Sequence, residues 1–256
     1  MIKTVLITGS TSGIGKAIAT LFASKGCHVI FNGLENNGAE IAQTIADEYK
    51  IKHLFFPVNL LDRLATKAMI AKSIETFGSI DILINNSGIQ FVSPVEDFPE
   101  EKWDDIININ LSSAFILTKA VWHSMKQKQF GRIINIASAH GFTASPFKSA
   151  YIASKHAMIG FTKAIALEGA PLGITCNAIC PGYVHTPIVE NQIENQMKAH
   201  GISRDEVIKN VMLGKQPIKE FINIDVIAEL AWFIAQDSSR TITGASFPID
   251  GGWTAE

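Results

Sequence analysis

The stretch LITGSTSGIGKAI, residues 6–18, joins a short apolar run to a helical pattern through a turn that contains Gly9, Gly13 and Gly15. The run before the turn predicts a buried strand, and the pattern after it predicts the first helix of a strand–helix unit. Glycines let a backbone approach a pyrophosphate, whose charge is attracted by free N–H groups at the helix N-terminus. The spacing GxxxGxG is wider than the usual dinucleotide spacing, but strand, turn and helix follow in the required order. The stretch therefore predicts a nucleotide-binding site.

Apolar runs bounded by turn residues alternate with helical patterns along the rest of the chain. Strands that are almost continuously apolar and alternate with helices predict a parallel, doubly wound α/β sheet with helices on both faces. One helical pattern is long and covers residues 101–127. No linker interrupts the alternation, so residues 1–256 are predicted to form a single domain. The seven predicted strands are residues 4–9, 28–33, 53–59, 80–88, 131–138, 174–182 and 245–252.

Residues 183–223 break this alternation, because they have a helical and charged pattern and contain no strand. An insertion directly after a strand lies at the carboxyl edge of the sheet, where ligands bind in open α/β proteins. The segment is therefore interpreted as a substrate lid. An ordinary helical excursion that packs on the surface is the alternative interpretation.

The composition argues against several classes of partner. The chain has a formal net charge of −2, a pI near 6.4 and a mean hydropathy of +0.19. Neither nucleic acid nor an anionic membrane surface is therefore expected to attract it. No apolar run approaches the ~20 residues of a membrane-spanning helix. The N-terminal apolar run is shorter than that of a secretion signal, so a cytoplasmic location is expected.

The cysteines and histidines show no metal-binding pattern in the sequence. The three cysteines, Cys27, Cys176 and Cys180, form no CxxC. The last two would lie ~13 Å apart along a strand, too far to share a metal ion. They are interpreted as buried thiols of a reducing compartment. The seven histidines form no HxxxH or His/Asp/Glu cluster, so no catalytic metal is predicted.

The end of the second predicted strand is expected to select the ribose of the nucleotide. A carboxylate there binds the 2′-hydroxyl of NAD, whereas an arginine accepts the 2′-phosphate of NADP. The chain has Asn32, Gly33 and Leu34 at this point, with Glu35 just beyond and no lysine or arginine. A 2′-phosphate would find no cation here and would be repelled by Glu35. NAD is therefore predicted rather than NADP.

Tyr151 and Lys155 lie four residues apart, a spacing that places both side chains on one face of a helix. This helix is predicted to begin with Ser145 as its N-cap and Pro146 at its first position. A phenol titrates near ~10, and a cation beside it favours the phenolate and lowers its pKa. Tyr151 is therefore a candidate base for a hydroxyl proton, with Ser138 holding the reacting oxygen. The alternative is a chance Tyr-x-x-x-Lys pair on an amphipathic helix.

Six motifs in one order extend this pattern over the whole chain. They are TGxxxGxG, the NNSG that ends at Gly88, Asn110, Ser138, Tyr151-x-x-x-Lys155 and the PG that ends at Gly182. The set resembles the pattern of the short-chain dehydrogenases/reductases. The resemblance implies a Rossmann-like, seven-stranded parallel sheet, NAD as cofactor and a homotetramer.

The resemblance also implies a role for each matching residue. Tyr151 would be the general base, and Lys155 would lower its pKa and bind the nicotinamide ribose. Ser138 would position the substrate oxygen, and Asn110 would support a water in the proton relay. The residues expected to contact NAD are Gly9, Thr11, Ser12, Gly13, Ile14, Gly15, Leu34, Asn59, Leu60, Asn86, Gly88, Tyr151, Lys155, Pro181, Gly182, Val184 and Thr186.

Two positions depart from the family pattern. Asn59 stands where the family has an aspartate near the adenine, and its amide oxygen is expected to accept a hydrogen bond from the adenine amino group. Ser87 stands where the family has alanine, and nothing in the sequence explains it.

Polar residues near the motifs are expected to select the substrate, and these residues are Gln90, His140, Lys148 and Gln192. Lys148 lies three residues before Tyr151, which places both on one helix face. Together with Ser138 and Tyr151 the set offers several hydrogen-bond donors and one positive charge, for which a small carboxylate is the natural partner. Each residue taken alone has an ordinary interpretation, such as a solvated surface lysine.

The segments around these residues are similar to those of family members that oxidise D-3-hydroxybutyrate. The resemblance implies NAD-dependent, reversible oxidation of (R)-3-hydroxybutyrate to acetoacetate. Tyr183 departs from those members, which commonly have tryptophan after the PG motif, and Trp253 is expected to close the pocket of a neighbouring subunit. Two other functions stay open. One is reduction of another small carbonyl compound, such as a sugar acid or a 3-ketoacyl thioester, and the other is non-catalytic sensing of NAD.

Overall fold

The structure is a computed structural model that describes residues 2–186, 189, 190, 193, 194, 197 and 201–255. Its centre is one parallel sheet of seven strands, as predicted. Each strand ends one to three residues before its predicted stretch does, because the residues that follow leave the sheet. The strands are β1 (Thr4–Ile7), β2 (His28–Asn32), β3 (His53–Phe56), β4 (Ile82–Asn85), β5 (Gly131–Ile136), β6 (Ile174–Pro181) and β7 (Ser246–Ile249).

The strand order β3-β2-β1-β4-β5-β6-β7 shows how the chain winds. The chain runs outward from β1 to β3, crosses back to place β4 on the other side of β1, and continues outward to β7. The carboxyl ends of β1 and β4 therefore form a topological switch point, where open α/β sheets bind ligands. This geometry places the glycine turn after β1 beside the NNSG segment after β4.

Helices cover both faces of the sheet. They are α1 (Gly13–Ser24), α2 (Gly38–Tyr49), α3 (Arg63–Phe77), α4 (Glu100–Ile107), α5 (Ser113–Lys128), α6 (Ser149–Gly169), α7 (Arg204–Glu206) and α8 (Ile224–Ile234). Val5 and Ile7 of β1 pack with α1 and α8 on one face, and Leu6 packs with α3 and α5 on the other. Burial on both faces explains why the strands are continuously apolar. No helix in the described ranges is long and apolar enough to span a membrane.

Two helices differ from the sequence prediction. The helix predicted over residues 101–127 is interrupted by a π-helical turn, Asn108–Ser112, between α4 and α5. The helix α6 begins at Ser149 with Lys148 as its N-cap, so Ser145 is not the cap. The hydroxyl of Ser145 instead lies 3.0 Å from Nε2 of His140. A contact within the same loop therefore replaces the predicted cap, and Lys148 lies at the N-cap of α6 instead of in its first turn.

Three charged side chains make hydrogen bonds at the amino edge of the sheet. Asp81, just before β4, accepts hydrogen bonds from the Thr4 backbone N–H and from the Lys128 ammonium. Arg132 of β5 is buried and donates to backbone carbonyl oxygens, including that of Gly173 at 3.2 Å. These contacts tie neighbouring strands together at the edge opposite the switch point.

The described part of residues 183–223 has an apolar cluster of its own. Val184 and Ile222 pair in an isolated parallel bridge that joins the two ends of the segment. Buried side chains that include Val207 and Leu213 pack together inside it. Gln192, which was expected to bind the substrate from this segment, lies outside the described residues.

Candidate active site

A cavity of about 670 Å³ opens at the carboxyl edge of the sheet, over the switch point. Most of the predicted cofactor and substrate residues line it. They are Gly9, Ser12, Gly13, Ile14, Leu34, Asn59, Leu60, Asn86, Gly88, Gln90, Ser138, His140, Lys148, Tyr151, Lys155, Pro181, Gly182, Val184 and Thr186. Thr11, Gly15 and Asn110 do not line the cavity, and each instead supports a segment that does.

The glycine turn shapes one end of the cavity. Gly9 and Gly13 have φ angles of +60° and +50°, in the left-handed region that most residues avoid. Gly15 packs directly on the turn, since a Cβ there would lie 2.1 Å from the carbonyl oxygen of Gly9. Ser12 is the N-cap of α1, but in the described structure its hydroxyl makes no capping bond. The first N–H groups of α1 therefore remain available for an anion, as a pyrophosphate site requires.

Glu35, beyond the end of β2, places a carboxylate against this turn. It accepts hydrogen bonds from the hydroxyl of Thr11 and from the hydroxyl of Ser12, the latter at 2.6 Å. Burial raises the pKa of Glu35, but the hydrogen bonds from Ser12 and Thr11 outweigh it and lower the pKa overall. Gly33 makes this approach possible, because a Cβ there would lie 1.9 Å from Oγ1 of Thr11. A carboxylate is therefore present just beyond the end of β2, against the glycine turn.

The NNSG segment braces the glycine turn from the side of β4. Nδ2 of Asn86 donates to the carbonyl oxygens of Thr8 and Gly9, at 2.8 and 3.1 Å. The backbone N–H of Ser87 donates to the hydroxyl of Thr8 at 2.9 Å. The Ser87 hydroxyl faces the turn, 3.1 Å from where a Cβ on Gly9 would lie. Asn86 thus fixes the turn, because its side-chain amide donates to backbone carbonyl oxygens of that turn.

The far end of the cavity is formed by Leu34, Asn59 and Leu60. Oδ1 of Asn59 accepts a hydrogen bond from the backbone N–H of Leu61 at 3.0 Å. An amide oxygen has two lone pairs, so Asn59 keeps the capacity to accept one more hydrogen bond. Two leucines beside one acceptor suit a flat ring that carries an amino group.

The loop after β5 carries Ser138 and His140. The hydroxyl of Ser138 accepts a hydrogen bond from the backbone N–H of His140 at 3.1 Å, which leaves its own proton free to be donated. Burial, and then the nearby charges of Lys148 and Lys215, lower the pKa of His140 to about 4. The imidazole is therefore neutral at pH 7 and serves as a hydrogen-bonding group.

Tyr151 and Lys155 project from α6 into the centre of the cavity. Nζ of Lys155 lies 5.6 Å from the centre of the Tyr151 ring and donates to the carbonyl oxygen of Ile136 at 2.8 Å. Burial lowers the pKa of Lys155 to about 8. Burial also raises the pKa of Tyr151, and the hydroxyl of Ser138 opposes this only in part. The expected lowering of the phenol pKa is therefore wrong for the chain by itself.

Asn110 lies in the π-helical turn, beneath the cavity wall. Its Oδ1 accepts from the backbone N–H of Ile89 at 2.8 Å, and its Nδ2 donates to the Ile89 carbonyl at 3.0 Å and to Oγ of Ser154 at 3.1 Å. The extra residue of a π turn changes the direction of the side chains that follow it. Asn110 thereby holds the loop that carries Gln90, and its role in a water relay stays a prediction.

Lys148 enters the cavity from the N-cap position of α6. The side chain is half-buried, and burial lowers its pKa. Its Nζ lies 5.8 Å from the centre of the Tyr183 ring. Within the described ranges no carboxylate oxygen lies within 4.0 Å of this ammonium. Lys148 is therefore a cation on the cavity wall that has no counter-ion among the described residues.

Two aromatic rings form the wall beside Lys148. The rings of Tyr183 and Trp253 are stacked, with centres 5.7 Å apart and planes within 3°. Trp253 meets the ring of His140 edge-on, at 4.8 Å between centres. Trp253 is buried and lines the cavity of its own chain, and its contact with a neighbouring subunit stays a prediction.

Comparison with known proteins decides the family to which this site belongs. Residues 3–197 match the family model described as short chain dehydrogenase. The chain is a short-chain dehydrogenase. It is therefore an oxidoreductase, as the order of its motifs predicts.

Relatives of this short-chain dehydrogenase match it over its whole length. D-beta-hydroxybutyrate dehydrogenase from Rhizobium meliloti (strain 1021) is 48% identical over 260 residues, covering 100% of both chains. The protein of the same name from Cupriavidus necator is 44% identical, covering 99% of this chain and 98% of that one. The crystal structure of a variant actinorhodin polyketide ketoreductase with NADPH has a TM-score of 0.93 and 29% identity, covering 100% of this chain and 98% of that one.

The cavity of this short-chain dehydrogenase fits the nicotinamide cofactor that its family implies. The glycine turn suits the pyrophosphate, and the carboxylate of Glu35 lies where ribose hydroxyls would reach it. Thr186 closes over the turn, because its methyl carbon lies 3.5 Å from where a Cβ on Gly13 would be. In the part of the chain that the structure describes, no three His, Cys, Asp or Glu side chains are grouped to hold a metal ion.

Sequence reasoning missed part of the cavity of this short-chain dehydrogenase. Glu35 was expected only to repel a phosphate, and its hydrogen bonds to Thr11 and Ser12 follow from the way β2 turns back toward the glycine turn. The stack of Tyr183 on Trp253 joins segments after two different strands, so no local pattern shows it. The one available indication was the tryptophan close to the C-terminal DGG turn.

Proposed function

We propose that this short-chain dehydrogenase oxidises (R)-3-hydroxybutyrate reversibly to acetoacetate with NAD. The observation that carries the proposal is the half-buried ammonium of Lys148, which lines the cavity with Tyr151 and has no protein counter-ion among the described residues. A charge that is withdrawn from water without a partner is costly. The cavity is therefore suited to an anionic substrate, and a small carboxylate supplies the missing charge.

The neighbours of Lys148 fit the rest of this substrate. Gln90 and the neutral His140 offer directional hydrogen bonds to a carboxylate. The rings of Tyr183 and Trp253 give an apolar wall for a short carbon chain. 3-Hydroxybutyrate has a carboxylate, a short apolar chain and one secondary hydroxyl. Relatives named D-beta-hydroxybutyrate dehydrogenase, at 48% and 44% identity, support the same substrate.

In the proposed reaction Tyr151 takes the proton of the substrate hydroxyl. Ser138 donates a hydrogen bond to the same oxygen and keeps it beside the phenol. When bound, NAD would supply the acceptor for the hydride from the carbon that carries this oxygen. The ammonium of Lys155, held by the carbonyl of Ile136, stabilises the phenolate as it forms. In the reverse direction the phenol of Tyr151, whose pKa burial raises, donates its proton to acetoacetate.

NAD is proposed rather than NADP because of Glu35. Its carboxylate is held over the glycine turn by Thr11 and Ser12, and it would accept a hydrogen bond from a 2′-hydroxyl and repel a 2′-phosphate. The fold itself does not decide the coenzyme, since a relative of the same fold has been crystallised with NADPH.

The proposal includes a homotetramer in the cytoplasm. The cysteines Cys27, Cys176 and Cys180 are all buried and free, which suits a compartment in which thiols stay reduced.

An NADH-absorbance assay with both enantiomers of 3-hydroxybutyrate, each with NAD and with NADP, tests the proposal. We expect turnover of the (R)-enantiomer with NAD, and a kcat/KM at least about tenfold lower with the (S)-enantiomer or with NADP. Absence of turnover with both enantiomers would sink the substrate assignment. Preference for a sugar acid or a 3-ketoacyl thioester would favour the alternative reductase, and NAD binding without any turnover would favour a sensor.

A further inference from the structure

Gln216 is a buried polar residue that the proposed reaction does not use. It lies in the segment after β6 and is 1% exposed. Its Nε2 donates to the carbonyl oxygens of Ile218 and Glu220, at 2.8 and 2.5 Å, and its Oε1 has no partner among the described residues. A buried amide that is only partly satisfied lowers stability. Its presence in the core therefore needs a reason other than stability.

Gln216 fills the space between two glycines of different segments. A Cβ on Gly182 would lie 3.1 Å from Oε1 of Gln216, and a Cβ on Gly251 would lie 2.7 Å from its Cγ. The backbone N–H of Ile218 donates to the carbonyl of Gly251 at 3.0 Å and closes the same contact. The glutamine side chain therefore sets the distance between the segment after β6 and the turn after β7.

Each of these glycines leads to one ring of the aromatic wall. Tyr183 directly follows Gly182, and Trp253 lies two residues after Gly251. The carboxylate of Asp250 accepts hydrogen bonds from two backbone N–H groups of the second turn, at 3.1 and 3.0 Å, and makes it rigid. The separation of the two turns, and with it the stack of the two rings, is thus fixed where Gln216 lies.

The neighbouring Lys215 extends this contact to a third segment. Its Nζ donates to the carbonyl of Ala144 at 3.3 Å, in the loop that also carries His140. Residues 215–216 therefore contact the three segments that bear Tyr183, Trp253 and His140.

We propose that Gln216 is a positioning residue that fixes the stack of Tyr183 on Trp253 and thereby the fit of the substrate. The inference rests on the proposed function, because it takes 3-hydroxybutyrate as the molecule that packs on this wall. When the contacts of Gln216 are lost, the two turns shift and the wall moves, while Tyr151 and Lys155 stay in place on α6. The effect is expected in the KM for the substrate, with little change in kcat.

Gln216→Met tests the proposal, since it keeps the length of the side chain and removes both donors. Gln236→Met is the matched control, because Nε2 of Gln236 also donates to a backbone carbonyl, that of Trp232 at 2.9 Å, and lies away from the cavity. We expect Gln216→Met to raise the KM for (R)-3-hydroxybutyrate at least about tenfold, with kcat changed less than about threefold. The control is expected to lower Tm and to leave both kinetic constants unchanged.

Tryptophan fluorescence gives a second readout that does not need turnover. The difference between each protein and its Trp253→Phe counterpart isolates the emission of Trp253, which is expected to move to longer wavelength in Gln216→Met as the stack loosens. If Gln216→Met does not fold, Gln216→Asn is measured in the same way. Asparagine keeps a buried amide on a side chain that is too short to reach the carbonyl oxygens of Ile218 and Glu220. A wild-type KM or a wild-type Trp253 emission in the variant overturns the proposal. If the native protein does not turn over 3-hydroxybutyrate, the proposed function fails, and the emission of Trp253 still decides the role of Gln216.

Discussion

Lys148 and Lys155 flank Tyr151 in the sequence but differ in their surroundings. Lys155 is buried and donates to Ile136, whereas Lys148 is half-buried beside Tyr183. We expect Lys155→Ala to abolish turnover of every substrate, because the phenol loses the adjacent charge. Lys148→Met is expected to raise the KM for 3-hydroxybutyrate about tenfold or more with little change in kcat, because one charge-assisted contact is lost. NADH absorbance measures both effects.

The exposed Lys163, on the same helix, provides the control for both lysines, and Lys163→Ala is expected to behave as the native protein. The methyl ester of 3-hydroxybutyrate lacks the carboxylate charge but keeps the carbon chain and the hydroxyl, so it tests the effect of the charge alone. The native enzyme should discriminate against the ester, and Lys148→Met should not. Unchanged kinetics with the acid in Lys148→Met would contradict the carboxylate pocket.

The carboxylate of Glu35 is expected to set the coenzyme preference. Glu35→Gln keeps the size of the side chain and removes the charge that repels a 2′-phosphate. The ratio of kcat/KM with NAD to kcat/KM with NADP should therefore fall about tenfold or more, since like charges in contact are strongly unfavourable. Glu40→Gln, at an exposed position of α2, is the control. An unchanged ratio in Glu35→Gln would assign coenzyme choice to another group.

His140 should make stability depend on pH. Burial lowers its pKa from 6.5 to about 4 in the folded chain. Between these two values the unfolded chain binds a proton that the folded chain does not, so the contribution of His140 to stability is lost as pH falls through this window. We expect the decrease in the free energy of unfolding from pH 7 to pH 5 to be smaller in His140→Gln. Urea denaturation at both pH values measures it, and a decrease equal to that of the exposed-residue control His123→Gln would refute it.

At the scale of elements, the strands are predictable from local sequence and the helix boundaries are not. Both faces of the sheet are buried, so an apolar run by itself marks a strand such as β4 or β5. Residues 108–112 have an ordinary helical pattern, and the π turn there depends on the backbone of Ile89, which pairs with Asn110 only after folding. The start of α6 likewise depends on the contact of Ser145 with His140.

The π turn leads to a prediction about Asn110. Asn110→Leu would leave the backbone N–H and the carbonyl of Ile89 without partners, which costs about 2 kcal/mol or more of unfolding free energy. It should also lower kcat, because the loop that carries Gln90 loses its support. Urea denaturation and steady-state kinetics check both effects. Asn108→Ala is the control in the same turn, since among the described residues its side chain hydrogen-bonds only to Arg63, at 3.5 Å. Equal losses in the two variants would contradict the prediction.

At the scale of the whole molecule, large apolar side chains are exposed on α5, α6 and α8. Phe115 of α5 and Leu167 of α6 are 52% and 78% exposed, and Val226 and Phe233 of α8 are 49% and 53% exposed. A tetramer built from two-fold axes needs two self-complementary faces on each chain. We expect sedimentation to give four chains of 27.9 kDa, and Phe115→Asp to give a smaller particle. A native protein that sediments as a single chain would contradict the tetramer.

Much of the active site is predictable because parallel strands bring their carboxyl ends together. Residues after β1, β4 and β5 must meet at one edge once the strand order is known. The position of the C-terminal turn, in contrast, does not follow from the strand order. The turn after β7, which carries Trp253, packs on Gln216 and on the segment after β6. Such contacts depend on the shape of the complete chain.

The charges of Asp81, Lys128 and Arg132 at the amino edge of the sheet have a consequence for engineering. Substitutions that strengthen this edge lie far from the reacting atoms, so heat tolerance can be raised there without the loss of turnover that often accompanies a stiffened site. The loops at the carboxyl edge can meanwhile be exchanged to change the substrate. Thermostability and substrate specificity can therefore be selected from two separate libraries of variants, and the best substitutions from each can then be combined in one chain.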